Sequence, residues 1–372
     1  MKRHIVIKLR RSLAHGLEIP DWVRFVSDKS VVKAGLTPEI DQIMGETAMP
    51  FWVTREYRPA GEDWTPREID HGLDRTYRVI LRDDRDVPPG LVGRLDALPG
   101  VEQAHELSLG ASPLPSIGAT VPSRRPGDLI YLPYARAVTE GNPDIAIAVL
   151  DTGADVNHRE LTGRFVKRAD FVDLTGLDTR DFIGDTLGFD ANPEDEHGHG
   201  THVSGIIAAR GLDMDKGVAS GCHLMAVRVL ATMRSGDRLF GAGIVDNINH
   251  AIKWAVDNGA DIINMSLGIK HTGGGLPHED VIRYALSHDV TVVAASGNDG
   301  TPARYYPGAL PGVIAVGAIG GDGAVAGFTS FGADITVVAP GVQIYSSYAH
   351  GAYAVASGTS QASLSSREAS PS

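Results

Sequence analysis

Ile145-Ala-Ile-Ala-Val-Leu-Asp-Thr-Gly-Ala154 is the stretch that decides the fold. A continuous apolar run is what a strand buried on both faces requires. Its abrupt end on Asp151-Thr152-Gly153 sets a carboxylate in a tight turn at the strand's carboxyl end. Similar runs recur at His223–Leu230, Asp261–Leu267, Val290–Ala295, Val313–Val316 and Ile335–Ala339. Helical patterns lie between them. The clearest spans 243–259, with Ile244, Ile248, Ala251, Ile252 and Ala255 on one face and Gly259 as the stop. Strands alternating with helices predict an α/β fold with a mostly parallel sheet.

Toward the N-terminus the texture changes. Residues 75–83 carry a strand-like core at Val79-Ile80-Leu81. Leu91, Val92, Leu95 and Leu98 fit one face of a short helix opened by proline and closed by Pro99-Gly100. Val101 to His105 reads as another strand, so these elements form a small β-α-β unit. Residues 109–128 are rich in Gly, Pro and Ser, include Arg124-Arg125, and read as a linker. The expected division is an N-terminal region, 1–120, and a second domain, 121–372. Ile5 to Leu9 reads as a strand. The apolar run there is cut by Lys8, Arg10 and Arg11, too short for the ~7–15-residue core of a secretory signal. That predicts a cytoplasmic protein, or a secreted one if the start is mis-assigned.

Length and composition bound the function. The chain has 372 residues, ample for two cores. No run approaches the ~18 apolar residues of a membrane span, which argues against a membrane role. The net charge of −12 argues against nucleic acid, because the long-range field repels phosphates. The single cysteine, Cys222, excludes an internal disulfide and any multi-cysteine metal site. The 44 glycines and 21 prolines, without a repeating period, indicate many tight turns.

Taken singly, the chemical motifs are ambiguous. Asp-Thr-Gly after a strand is a turn or a helix cap, or half of an aspartic protease. The latter needs two such carboxylates sharing a proton, hence a dimer at Asp151. His197, His199 and His202 invite a zinc site, but their glycine-rich spacing is unlike the HExxH helix, and no metal ligand is assigned. Gly358-Thr-Ser-Gln-Ala362 alone is a small-residue turn.

Taken together, the order Asp, His, Ser, each in a small-residue turn of an α/β fold, is one order of the serine triad. AVLDTGADVNHREL, HGTHVSG, GVASGCHLMAVRVL, ADIINMSLG, VVAASGNDG and GTSQA occur in the same succession as in subtilisin-like serine proteases. From about Tyr131 to Ala362 the chain resembles that family. The resemblance implies a three-layer subtilisin-like fold and a serine endopeptidase working through an acyl-enzyme. Ser360 matches its nucleophile, His199 its base, Asp151 the carboxylate behind the base and Asn298 the side-chain donor to the oxyanion. His197 and His202 are then packed neighbours. Ser266-Leu267-Gly268 matches the edge that pairs with an extended polypeptide substrate. Ala295-Ser296-Gly297 matches a wall of the pocket for the side chain before the scissile bond, its small residues leaving room for a large apolar group. Residues 75–107 resemble the inhibitory prosegment of the family, making the protein a proenzyme with its own small α+β domain; residues 1–74 have no parallel.

Two features depart from the family pattern. Gln361 replaces the usual methionine after the nucleophile. After Ala362 a polar tail stands where the family continues with a long apolar helix. This predicts a peptidase domain incomplete at its C-terminus through frameshift or truncation. A catalytically inactive, protease-like binding protein is the alternative reading. No cofactor is needed for the chemistry. Structural calcium is an expectation near Glu160, with Asp213 and Asp215 as substitutes for the family's asparagines.

Overall fold

Alternating side-chain direction along one strand explains the layering. The computed structural model describes residues 3–13, 19–27, 33–83, 85–113, 126–174, 178–270 and 275–363. The N-terminal region runs β1 (His4–Leu9), α1 (Trp22–Ser27), α2 (Pro38–Glu46), β2 (Phe51–Arg55), α3 (Pro66–Asp70), β3 (Thr76–Leu81), α4 (Leu91–Asp96), β4 (Val101–Glu106) and β5 (Leu109–Pro113). There follow α5 (Leu132–Val138), β6 (Ala146–Asp151), β7 (Phe165–Asp170), β8 (Phe182–Ile183), α6 (His199–Ala208), β9 (His223–Arg228), β10 (Ala231–Ser235) and β11 (Arg238–Ile244). The remainder comprises α7 (Val245–Asp257), β12 (Ile262–Met265), β13 (Ile269–Lys270), α8 (Glu279–Ser287), β14 (Thr291–Ala295) and β15 (Tyr305–Tyr306). It closes with β16 (Ile314–Ile319), β17 (Val337–Pro340), β18 (Ile344–Ser347), β19 (Tyr353–Ala356) and α9 (Thr359–Ala362).

Seven strands in the order β17-β16-β14-β12-β6-β9-β7 form one parallel sheet. In β6, Ile147 and Val149 face Val203, Ile206 and Ile207 of α6. The alternate residues, Ala148 and Leu150, face Ile248, Ala251 and Ile252 of α7 and Val281 and Ile282 of α8. Both faces are therefore covered and the domain is a three-layer α/β structure. Each large aliphatic side chain buried this way contributes roughly 1.5–3 kcal/mol. The helix expected from Gly243 begins only at Val245, because Gly243 and Ile244 end strand β11. Among the described residues no helix is long and apolar enough to cross a membrane.

The N-terminal strands form a separate antiparallel sheet, β2-β3-β1-β4, crossed by α2 and α4 in a split β-α-β arrangement. Residues 1–74, for which the sequence suggests no counterpart, supply β1 and β2 of that sheet. Period two again sorts the side chains. Ile5, Ile7, Val53, Tyr77 and Val79 face the region's own core with Ile40, Met44, Leu91 and Leu95. The alternate positions face the second domain: Ile80 and Trp52 pack near Val172, Leu174, Ala231 and Ile244, and His4, Lys8 and Arg78 make polar contacts. His4 Nε2 lies 2.9 Å from Asp246 Oδ2 of α7, both buried. Lys8 Nζ donates to Asp280 Oδ2 of α8 at 2.8 Å. Arg78 is fully buried, donates from Nη2 to Glu56 Oε1 at 2.7 Å, and reaches Asn247 Oδ1 of α7 at 3.2 Å. The loop between β2 and β3 adds a buried pair, Lys253 with Glu68 at 2.6 Å, and sends Tyr57 and Leu73 into the core beneath α7.

The stretch expected to be a linker starts as a strand. β5 pairs antiparallel with β11, Leu109 opposite Ile244 through Pro113 opposite Phe240. Residues 114–125, with Arg124-Arg125, lie outside the described residues, as does the tail 364–372 on which the C-terminal expectation turns.

Candidate active site

The carboxyl edge of the parallel sheet gathers the chemistry, as it does in open α/β folds generally. Asp151 ends β6, and His199 opens α6. His199 Nδ1 donates to Asp151 Oδ1 at 2.6 Å with both groups buried. The same oxygen accepts the Thr152 amide at 2.7 Å. This approach depends on Gly200, where a Cβ would overlap the Gly153 carbonyl oxygen. Burial disfavours the imidazolium, but the charge and hydrogen bond of Asp151 outweigh it, so the His199 pKa is raised above its ordinary 6.5.

Asp195 staples the two loops together and was not singled out by sequence reasoning, because nothing local separates it from any other acidic turn residue. Its Oδ1 accepts from Thr152 Oγ1 at 2.9 Å and the Gly198 amide at 2.7 Å. Its Oδ2 accepts from the Thr201 amide at 2.8 Å and Thr201 Oγ1 at 2.6 Å. The carboxylate thus satisfies free amides at the start of α6 and favours the positive helix end.

Both flanking histidines are engaged by the protein itself. His202 Nε2 donates to the carbonyls of Ile344 at 3.0 Å and Ala354 at 3.2 Å. Burial, then the charge of His199, pull His202 down to about 4. His197 is likewise lowered to about 4, by burial and then by His199. Its Nδ1 lies 3.4 Å from the Tyr348 hydroxyl. Among the described residues no group of three His, Cys, Asp or Glu side chains is placed to hold a metal ion.

The calcium expectation does not fit this structure. The Glu160 carboxylate already accepts the amides of Gly211 at 2.8 Å, Leu212 at 3.0 Å and Asp213 at 2.6 Å. Three N–H dipoles pointing at those oxygens repel a cation. The Asp213 carboxylate is taken by Arg159 and by the Tyr353 hydroxyl at 3.2 Å.

Ser360 sits in the first turn of α9, where its own N–H has no intrahelical acceptor. Its Oγ does not face His199: it donates to the Ser266 carbonyl at 3.0 Å. His199 Nε2 is buried without a partner among the described residues. Asn298 follows β14, and its Oδ1 accepts from the Thr359 amide at 2.8 Å and Thr359 Oγ1 at 3.0 Å. With the oxygen so held, Nδ2 is left as the outward donor. Gln361 is buried, and neither end of its amide has a partner among the described residues.

The expected substrate walls also lie here. Ser266 and Leu267 are buried, and Ser266 Oγ donates to the Ser360 carbonyl at 3.1 Å. Ala295 and Ser296 are buried, and the Gly297 amide donates to Thr359 Oγ1 at 3.3 Å. The space between the two segments is not the roomy pocket that their small residues suggest, because the ring of Tyr305 stands in it.

Comparison with known proteins bears on the same residues. A profile of the subtilase family matches residues 142–363. The chain is 39% identical over 236 residues to a thermophilic serine proteinase of Bacillus sp. (strain AK1), covering 63% of this chain and 53% of that protein. It is 35% identical over 235 residues to thermitase of Thermoactinomyces vulgaris, covering 63% and 75%. To subtilisin Savinase of Lederbergia lenta it is 38% identical over 212 residues, covering 55% and 75%. The match thus spans about half the length of the first relative and three quarters of the other two.

Proposed function

The chain belongs to the subtilase family, and from that premise we propose that it is a serine endopeptidase acting on polypeptides through Asp151, His199, Ser360 and Asn298. The observation that carries this reading is the buried 2.6 Å contact of His199 with Asp151, its far nitrogen without a partner among the described residues, on a helix that touches α9, whose first turn holds Ser360. A serine hydroxyl needs a base to become a nucleophile. Rotation about its Cα–Cβ bond frees Ser360 Oγ from the Ser266 carbonyl and turns it to Nε2. His199 takes the proton as Oγ attacks the peptide carbonyl carbon. The negative oxygen of the tetrahedral intermediate accepts from Asn298 Nδ2 and the Ser360 amide. His199 then passes its proton to the leaving amine, and water repeats the sequence on the acyl-enzyme. Asp151 fixes the tautomer and stabilises the imidazolium.

The rival chemistry at Asp151 is disfavoured by its full burial against His199, which keeps the carboxylate from the surface where a second copy would have to meet it. A fluorophosphonate probe tests the reading. With the chain nicked between residues 113 and 126 and the N-terminal region released by dilution, it should label the folded protein, with the label mapped to Ser360. A folded, nicked and diluted sample that stays unlabelled favours an inactive binding protein instead.

The N-terminal region acts as an intramolecular inhibitor in this reading. β5 runs between β11 and the start of β13, where an extended substrate adds a strand by backbone pairing. The fit is close: a Cβ on Gly110 would overlap Ile269 Cγ2.

Two outcomes follow. Asn298→Leu removes one oxyanion donor and should lower kcat by roughly 10²–10³ with little change in KM; an unchanged kcat in steady-state assays removes Asn298 from the mechanism. A base must be neutral to accept a proton, and the pKa of His199 is raised. Activity should therefore rise with pH through a midpoint above 6.5, the ordinary histidine value. A kcat/KM profile with its acid limb centred below that value contradicts the assignment.

A further inference from the structure

Gly268 and Gly297 belong to different segments, yet both press on one ring. A Cβ on Gly268 would lie 3.2 Å from Tyr305 Cβ and 3.3 Å from its Cδ1. A Cβ on Gly297 would overlap Cδ2 and lie 2.5 Å from Cε2. Gly297 also has φ +103°, a conformation that disfavours any side chain. Both walls therefore close on Tyr305 with backbone alone. Its place is set by β15, where Tyr305 pairs with Lys270 of β13, two residues beyond Gly268.

The far end of the ring is latched. Tyr305 Oη donates to Asp299 Oδ2 at 2.5 Å, and Lys270 Nζ pairs with the same oxygen. The Lys270 ammonium lies 5.5 Å from the ring centroid, a favourable cation–π distance. Asp299 directly follows Asn298, so the latch adjoins the expected oxyanion donor. A large side chain inserted between these walls needs the volume that the ring holds.

We infer that Tyr305 is a specificity-determining residue that restricts the substrate to small side chains (glycine, alanine or serine) immediately before the scissile bond. This rests on the proposed endopeptidase reading and reverses the preference suggested by the small residues of 295–297.

The test uses the full chain nicked between residues 113 and 126 and diluted so that β5 is released, with two peptide anilides differing only in alanine or phenylalanine before the scissile bond. Fluorophosphonate labelling of Ser360 reports the integrity of each variant's site. The wild type should prefer alanine by roughly 10²-fold in kcat/KM, the scale on which apolar pockets discriminate by size. Tyr305→Phe, which keeps the ring and loses the latch, should retain that preference. Tyr305→Ala should label and gain at least tenfold on phenylalanine relative to alanine. If Tyr305→Ala loses labelling, Tyr305→Leu decides by the same ratio. A wild type that cleaves both peptides equally, or a labelled Tyr305→Ala with an unchanged ratio, overturns the inference and leaves the endopeptidase reading standing. A wild type that neither labels nor cleaves overturns both.

Discussion

Replacing Ser360 by alanine is expected to lower kcat for peptide hydrolysis by roughly 10⁶, the scale for removing the nucleophile of such a triad. The loss should fall on kcat and not on KM, since Ser360 bonds to the reacting carbon only after binding. Among the described residues Ser360 Oγ makes one hydrogen bond, to the Ser266 carbonyl, so its removal leaves one buried acceptor with a lost donor and little packing change. Ser360→Ala should therefore keep its fold, and circular dichroism should superimpose on the wild type. Adding His199→Ala should cost little more, because base and nucleophile act as a unit. A Ser360→Ala protein that still hydrolyses peptides within tenfold of the parent would sink the assignment.

The second large effect is on stability. Arg78→Met strips the counter-charge from Glu56, which is 1% exposed. Breaking a buried ion pair from one side costs about 3–5 kcal/mol, whereas replacing both partners by apolar groups is often neutral. The double variant Arg78→Met with Glu56→Met should thus recover most of what the single one loses. Trp22 reports the event, since the Arg78 guanidinium lies 4.6 Å from its ring centroid. In urea titrations followed by tryptophan fluorescence, the single variant should unfold well below the wild type and the double near it. Equal midpoints for single variant and wild type would show that Glu56 is neutral or solvated.

Much of this was legible in the chain before any coordinates. The continuous run ending at Leu150 reads as a strand covered on both faces, and it is one. Asp151, His199, Asn298 and Ser360 stand out because glycines crowd around them, and the folded chain sets them along one edge of the sheet. The N-terminal sheet was half visible: β3, α4 and β4 are local, but β1 pairs with β3 across some seventy residues, a separation that leaves no local periodicity. Gly243 and Ile244 fit a strand or a helix equally well, and tertiary pairing with β5 settles them as strand. Tyr305 carries no sequence signal at all. Its role exists only because Gly268 and Gly297 fold against it from opposite sides.

The strand β5 is fastened to its groove by its own backbone and by the interface that His4, Lys8 and Arg78 make with α7 and α8. A tethered ligand of this kind competes at an effective concentration on the order of millimolar. On the proposed reading, latency therefore does not dilute away: a free peptide at micromolar levels meets the same occupied groove in a thin solution as in a crowded one. Cutting the chain between 113 and 126 changes the order of the process, making rebinding bimolecular. Dilution, powerless before the cut, then becomes an activating condition.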